Sequence, residues 1–258
     1  DDQRDAVRAV AEFRRAMAAA LADSVGTMDV VLGELRTAFA EPDAIERAIS
    51  LFTADVPTRD IACANSRLLL ELEQLADRRE EALRRLDALL TQCDDGARRA
   101  RLLREKGDLL QLDGNNDRAR RAYEESLNYD PDAWVALNNI AYLLSTKLAD
   151  SDAAVGYALR AAAITPNGAT LDTLGWAYVG AAQYAPAIAA LSRCLRFDPD
   201  SAATFYHLGE AYRRKRDFAD AARILQAVRR LAQGADDAEW VALADAAIAK
   251  AEGQDATP

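Results

Sequence analysis

The sequence predicts an all-α protein made of stacked helical hairpins, and three observations carry that prediction. Glycine and proline are few, 12 and 7 in 258 residues, while half of the chain is apolar with alanine prominent. That mixture favours helices and is too apolar for disorder. No stretch sustains an alternation of Val, Ile or Thr with polar residues, so strands are not expected. The string LDTLGWAY, Leu171 to Tyr178, also recurs in pattern every 34 residues.

Gly175 stands inside an otherwise apolar helical run, where glycine costs about 1 kcal/mol against alanine. One period of 34 forward lies Gly209; one and two periods back lie Ala141 and Gly107. Leu103, Leu137, Leu171 and Phe205 precede these small residues, and Leu110, Leu144, Tyr178 and Tyr212 follow them. A second small site falls at Ala119, Ala154, Ala187 and Ala221. Pro131, Pro166 and Pro199 then mark turns between units. Repetition at this period signals helix pairs stacked side by side. DGNND and TKLADSD separate the two helices of their units, and Pro186 falls in a first helical turn, where it is tolerated. Gly175 then marks a close helix crossing that a side chain would push apart.

The pattern resembles the tetratricopeptide-repeat (TPR) family. Leu171, Leu174, Gly175, Tyr178, Ala187 and Pro199 carry the resemblance in one unit. Gly209, Tyr212 and Ala221 carry it in the next, and Gly107, Ala119, Tyr123 and Pro131 in an earlier one. The resemblance implies a right-handed superhelical solenoid of antiparallel helix hairpins, with four clear repeats over residues 100–235. Residues 26–99 read as degenerate hairpins. Within them, 62–95 keeps Ala82 and Leu86 but has Leu70 at the small site, and 26–59 keeps Gly33 and Pro57. Residues 1–25 form an amphipathic helix with Val10, Phe13, Met17 and Leu21 on one side. Residues 236–258 form a capping helix and tail, in which Trp240, Leu243, Ala244, Ala247, Ile248 and Ala251 make an apolar stripe over the last repeat.

A net charge of −10 argues against a general nucleic-acid or anionic-membrane binder. No run approaches 18 apolar residues, so direct membrane insertion is not expected. The chain begins DDQRD, with neither an initiator methionine nor a signal peptide, which reads as a processed or trimmed start. Cys63, Cys93 and Cys194 match no zinc spacing and no disulfide framework. Cys63 and Cys93 fall at neighbouring ends of a hairpin, where a disulfide in an exported protein or two free thiols are both compatible. Asp113, Asn115, Asp117 and Glu124 imitate a calcium loop, but Arg118 stands where that loop needs glycine. His207 is the only histidine and sits in a groove row; Cys194 sits at a small-residue core site. Phosphate-loop, dinucleotide, zinc-protease and serine-hydrolase motifs are missing. Neither enzymatic activity nor a cofactor or metal is expected.

First helices of TPR units line a concave face, so positions one period apart form rows along it. One row is Arg104, Asn138, Asp172 and Tyr206; a second is Glu105, Asn139, Thr173 and His207; a third is Asp108, Tyr142, Trp176 and Glu210. Amides, carboxylates and aromatic rings of this kind suit an extended peptide or a partner helix. Asp172 and Glu210 would favour Arg or Lys on the partner. Asn139 matches one residue of the carboxylate clamp by which some TPR domains hold chaperone tails, but the remaining clamp residues are missing. The expected function is a protein–protein interaction scaffold, with a monomer favoured. The alternative is self-assembly through convex or end surfaces. LNNIAYLL followed by LDTLGWAY is similar to a broad group of bacterial TPR proteins, many exported or envelope-attached. The resemblance leans toward export, with the cytoplasm as the alternative.

Overall fold

The computed structural model describes residues 2–23, 25–39, 41–54, 59–231 and 238–255. Among them are fourteen helices and no strand. The chain divides into two compact units, Asp1–Asp113 and Gly114–Pro258.

The first unit holds α1 (Asp2–Asp23), α2 (Val25–Ala38), α3 (Pro42–Ala54), α4 (Arg59–Leu75), α5 (Arg79–Gln92) and α6 (Gly96–Leu112). Helix α1 packs against α2, α3 and α4. Its Val10 and Met17 enter a core with Leu35, Phe52 and Leu68, and Phe13 packs at its border. Arg14 lies on the same face and is itself buried, 9% exposed. Its Nε donates to Asn65 Oδ1 at 2.6 Å, and a terminal nitrogen donates to the Phe52 carbonyl at 3.1 Å. Asn65 Nδ2 reaches that same carbonyl at 2.9 Å. The guanidinium thus sits at the last turn of α3, where the exposed carbonyls favour a cation. Helices α4, α5 and α6 share a second cluster of Leu70, Ala82, Leu86, Leu89 and Leu109. Gly33 has no atom within 4 Å of where a Cβ would stand. Pro57 and the side chains of Leu21 and Cys63 lie outside the described residues, so the Cys63–Cys93 pairing does too.

The second unit begins with α7 (Asn116–Leu127) and continues as α8 (Trp134–Thr146), α9 (Ser151–Ile164), α10 (Gly168–Gly180) and α11 (Tyr184–Cys194). It ends with α12 (Ala202–Lys215), α13 (Phe218–Leu231) and α14 (Ala238–Asp255). The pairs α8–α9, α10–α11 and α12–α13 are the antiparallel hairpins. A Cβ on Gly175 would stand 2.4 Å from Leu191 Cγ, and one on Gly209 would stand 2.5 Å from Leu225 Cγ. Both leucines are fully buried. The glycines therefore exist so that the partner helix can press a leucine against bare backbone. Ala119, Ala154, Ala187 and Ala221 are all fully buried, as the second small site requires.

The turn inside each of these hairpins uses a residue with positive φ: Ala149 at 53°, Ala182 at 57° and Arg216 at 72°. The amide after it reaches back to the helix's last turn, as in Gln183 to Tyr178 and Asp217 to Tyr212. That is a Schellman closure made without glycine. The starts of α9, α10 and α12 are capped by side chains: Asp150 accepts from Ala153, Asn167 and Thr170 form a reciprocal box, and Ser201 accepts from Thr204. Helix α14 closes the stack, with Ala244, Ala247 and Ile248 packed on Ala202, Leu225 and Val228. The side chain of Ala251 lies outside the described residues.

Candidate functional site

Helices α8, α10, α12 and α14 together line a pocket of about 360 Å³, within the size range of ligand clefts. Helix α8 supplies Tyr142, Ser145 and Thr146; α10 supplies Asp172, Thr173 and Trp176. Helix α12 supplies Ala203, Tyr206 and His207, and α14 supplies Trp240 and Leu243. Tyr142, Asp172, Thr173, Trp176, Tyr206 and His207 are thus brought together because the hairpin period sets α8, α10 and α12 in register. Trp240 and Leu243 stand outside that period. The sequence read them as cap residues alone, and Trp240 does pack half-buried against the core under the cap while also facing the pocket.

The rings form one connected wall. Trp176 stacks on His207 with centroids 4.4 Å apart and lies 6.3 Å from Tyr206. Trp240 lies 5.6 Å from Tyr206 and meets His207 edge-on at 5.7 Å. Tyr142 is 41% exposed. At the foot of the wall, Asp172 accepts from the Thr204 hydroxyl at 2.9 Å and faces His207 Nδ1 at 3.1 Å. A carboxylate only accepts, so Nδ1 carries the donated proton. Burial, and then the charge of Glu210, push the Tyr206 phenol above its ordinary range, which keeps it a neutral donor.

The other candidate residues lie elsewhere. Glu210 is outside the pocket lining, buried, and held by Arg213 at 2.6 and 2.9 Å and by Arg214 at 3.3 Å. Burial pushes its carboxyl up, but the hydrogen bond and charge of Arg213, followed by those of Arg214, outweigh it and hold the group below the ordinary carboxylate range. Asn138 and Asn139 are half-buried on α8, and Asn138 Oδ1 is buried without a hydrogen-bond partner. Arg104 and Asp108 belong to the first unit, where they pair along α6 at 3.2 Å. Cys194 is core, its thiol 3.2 Å from the Gly168 carbonyl and raised in pKa by burial. Among the described residues no group of His, Cys, Asp or Glu is arranged to hold a metal ion. No described helix is long and apolar enough to cross a membrane.

Residues 203–232, the α12–α13 hairpin, match the family model of the tetratricopeptide repeat. The fold is that of a tetratricopeptide-repeat protein. Solved structures extend the likeness along the chain. A tetratricopeptide repeat protein from Parabacteroides merdae superposes with a TM-score of 0.65 at 14% identity, over 86% of this chain and 92% of its own. YrrB, described as a TPR protein with an unusual peptide-binding site, gives 0.56 at 19% identity, over 76% of this chain and 96% of its own. PilW, a type IV pilus biogenesis factor, gives 0.59 at 18% identity, over 77% and 93%. At these identities the likeness is one of fold. No curated protein matches the chain. In the tetratricopeptide-repeat frame, the pocket lies on the first helices of three successive repeats and is finished by the capping helix.

Proposed function

We propose that the protein is an interaction scaffold whose second unit binds a peptide segment or partner helix in the aromatic pocket. The observation that supports this most is the pocket's composition. Three large rings, Trp176, Tyr206 and Trp240, border the Asp172 carboxylate, the His207 imidazole and the hydroxyls of Ser145, Thr146 and Thr173. Apolar area at the centre with hydrogen-bonding groups at the border is the usual anatomy of an interface hot spot. YrrB, which shares the fold, is described by its peptide-binding site, and PilW as a type IV pilus biogenesis factor. Both agree with a scaffold, and PilW with an exported one. Trp176→Ala should weaken partner binding by about 2 kcal/mol or more, measured by calorimetry, while helicity by circular dichroism stays unchanged. Unchanged affinity would remove the pocket as the binding site.

A second reading, self-assembly, has one observation behind it. Tyr129, Ile164 and Phe197, each two residues before a turn proline, are 41%, 40% and 60% exposed. Such an apolar row could meet a second copy. Light scattering separates the two: a monomer supports the pocket reading and removes self-assembly.

A further inference from the structure

We propose that the pocket selects an arginine side chain on the bound segment. This rests on the reading above and specifies its ligand. Charge comes first. Among the described residues, Asp172 is the one acidic residue in the lining, and no lysine or arginine lines the pocket with it. Arg213 and Arg214, whose charges reach Tyr206, are taken up by Glu210. An inserted carboxylate would face Asp172 with no cation to meet it, whereas an inserted cation is matched. The chain as a whole, at −10, steers the same choice over longer range.

Shape then narrows the cation. Trp176, Tyr206 and Trp240 offer ring faces on adjoining helices, with centroids 5.6 to 6.3 Å apart along the wall. A flat guanidinium stacks on such faces and is drawn to them electrostatically. Asp172 is already aimed, because the Thr204 hydroxyl and His207 Nδ1 hold it at 2.9 and 3.1 Å. Those two donors leave part of its acceptor capacity open. Arginine can fill that capacity with paired N–H groups while its plane stays on a ring. Lysine brings the charge without the plane. Trp240 makes the selection a property of this chain, since it comes from the capping helix and not from the repeats.

The test needs no knowledge of the natural partner. Random-sequence synthetic octapeptides are screened against the protein and against Trp176→Ala, and each Trp176-dependent binder is remade with citrulline or lysine at its arginine. The expected result is binders enriched in arginine, with affinity falling about tenfold on the citrulline exchange and less on the lysine exchange. Asp172→Asn should then bind the arginine and citrulline forms alike. The citrulline exchange reads the wild-type protein, so it stands even if Asp172→Asn folds poorly. Trp176-dependent binders that ignore the citrulline exchange overturn arginine selection and leave the scaffold reading intact. A screen with no Trp176-dependent binder overturns both.

Discussion

In the second unit helices meet through glycine and alanine pressed against leucine, as Gly175 meets Leu191 and Gly209 meets Leu225. In the first unit α1 meets its neighbours through Met17, Phe52 and Leu68, and through a buried arginine fixed to Asn65 and a helix end. The two solutions distribute specificity differently. A small-residue site works only at one register, so it must recur wherever a hairpin recurs, and it writes a period into the sequence. A bulky core tolerates many substitutions of similar volume and writes none. The buried polar set supplies the register that bulk alone leaves loose, because a misplaced Arg14 would stay unsatisfied.

Four substitutions sharpen that contrast. The largest effect is expected for Gly175→Leu, which should cost about 3 kcal/mol by overpacking against Leu191. Thermal denaturation measures it, and an unchanged melting temperature would remove the close-crossing role of Gly175. Next, Arg14→Met should cost about 2 kcal/mol, because it leaves the Asn65 amide oxygen buried without its donor; a loss below a few tenths would show that the polar set carries no stability. A smaller effect is expected from Glu210. Its folded carboxyl titrates below the ordinary 4.5, so its contribution is present above that pH and is lost as pH falls through the folded value. Glu210→Gln should therefore flatten the stability curve below pH 4.5 while changing its shape little above. The smallest is Gly33→Ala, where open space around the Cβ position predicts a gain of about 0.5–1 kcal/mol from helix propensity. A loss there would mean that the first unit, too, uses a close crossing.

The same contrast decides what could be read from the sequence. Gly175, Gly209 and the alanine ladder were readable because only small residues fit there. Tyr142, Asp172, Trp176, Tyr206 and His207 then followed into one pocket by register. The turn residues Ala149, Ala182 and Arg216 were not readable, since none is the glycine that a positive φ favours. Trp240 was read as packing because its place beside Tyr206 depends on how α14 returns across the stack, which no period encodes. Arg14 did leave a trace: it falls four residues after Val10 and three before Met17, on the apolar face of α1. Glu210 shares its row with Trp176 but turns toward arginines on its own helix, three and four residues on, which row spacing alone does not weigh.

The rings of the pocket also give the molecule a built-in optical reporter. Trp134, Trp176 and Trp240 are the three tryptophans of the chain, and all fall in the second unit. Their emission therefore follows that unit alone, while far-ultraviolet dichroism follows helices in both. Many contacts in the reported unit join residues close in sequence, such as Gly175 and Leu191, whereas Arg14 and Asn65 are 51 residues apart. Loop closure over that span slows the first unit relative to the stack. In a stopped-flow refolding experiment the fluorescence is expected to recover ahead of the last part of the dichroism, and a lag in the fluorescence would reverse the order.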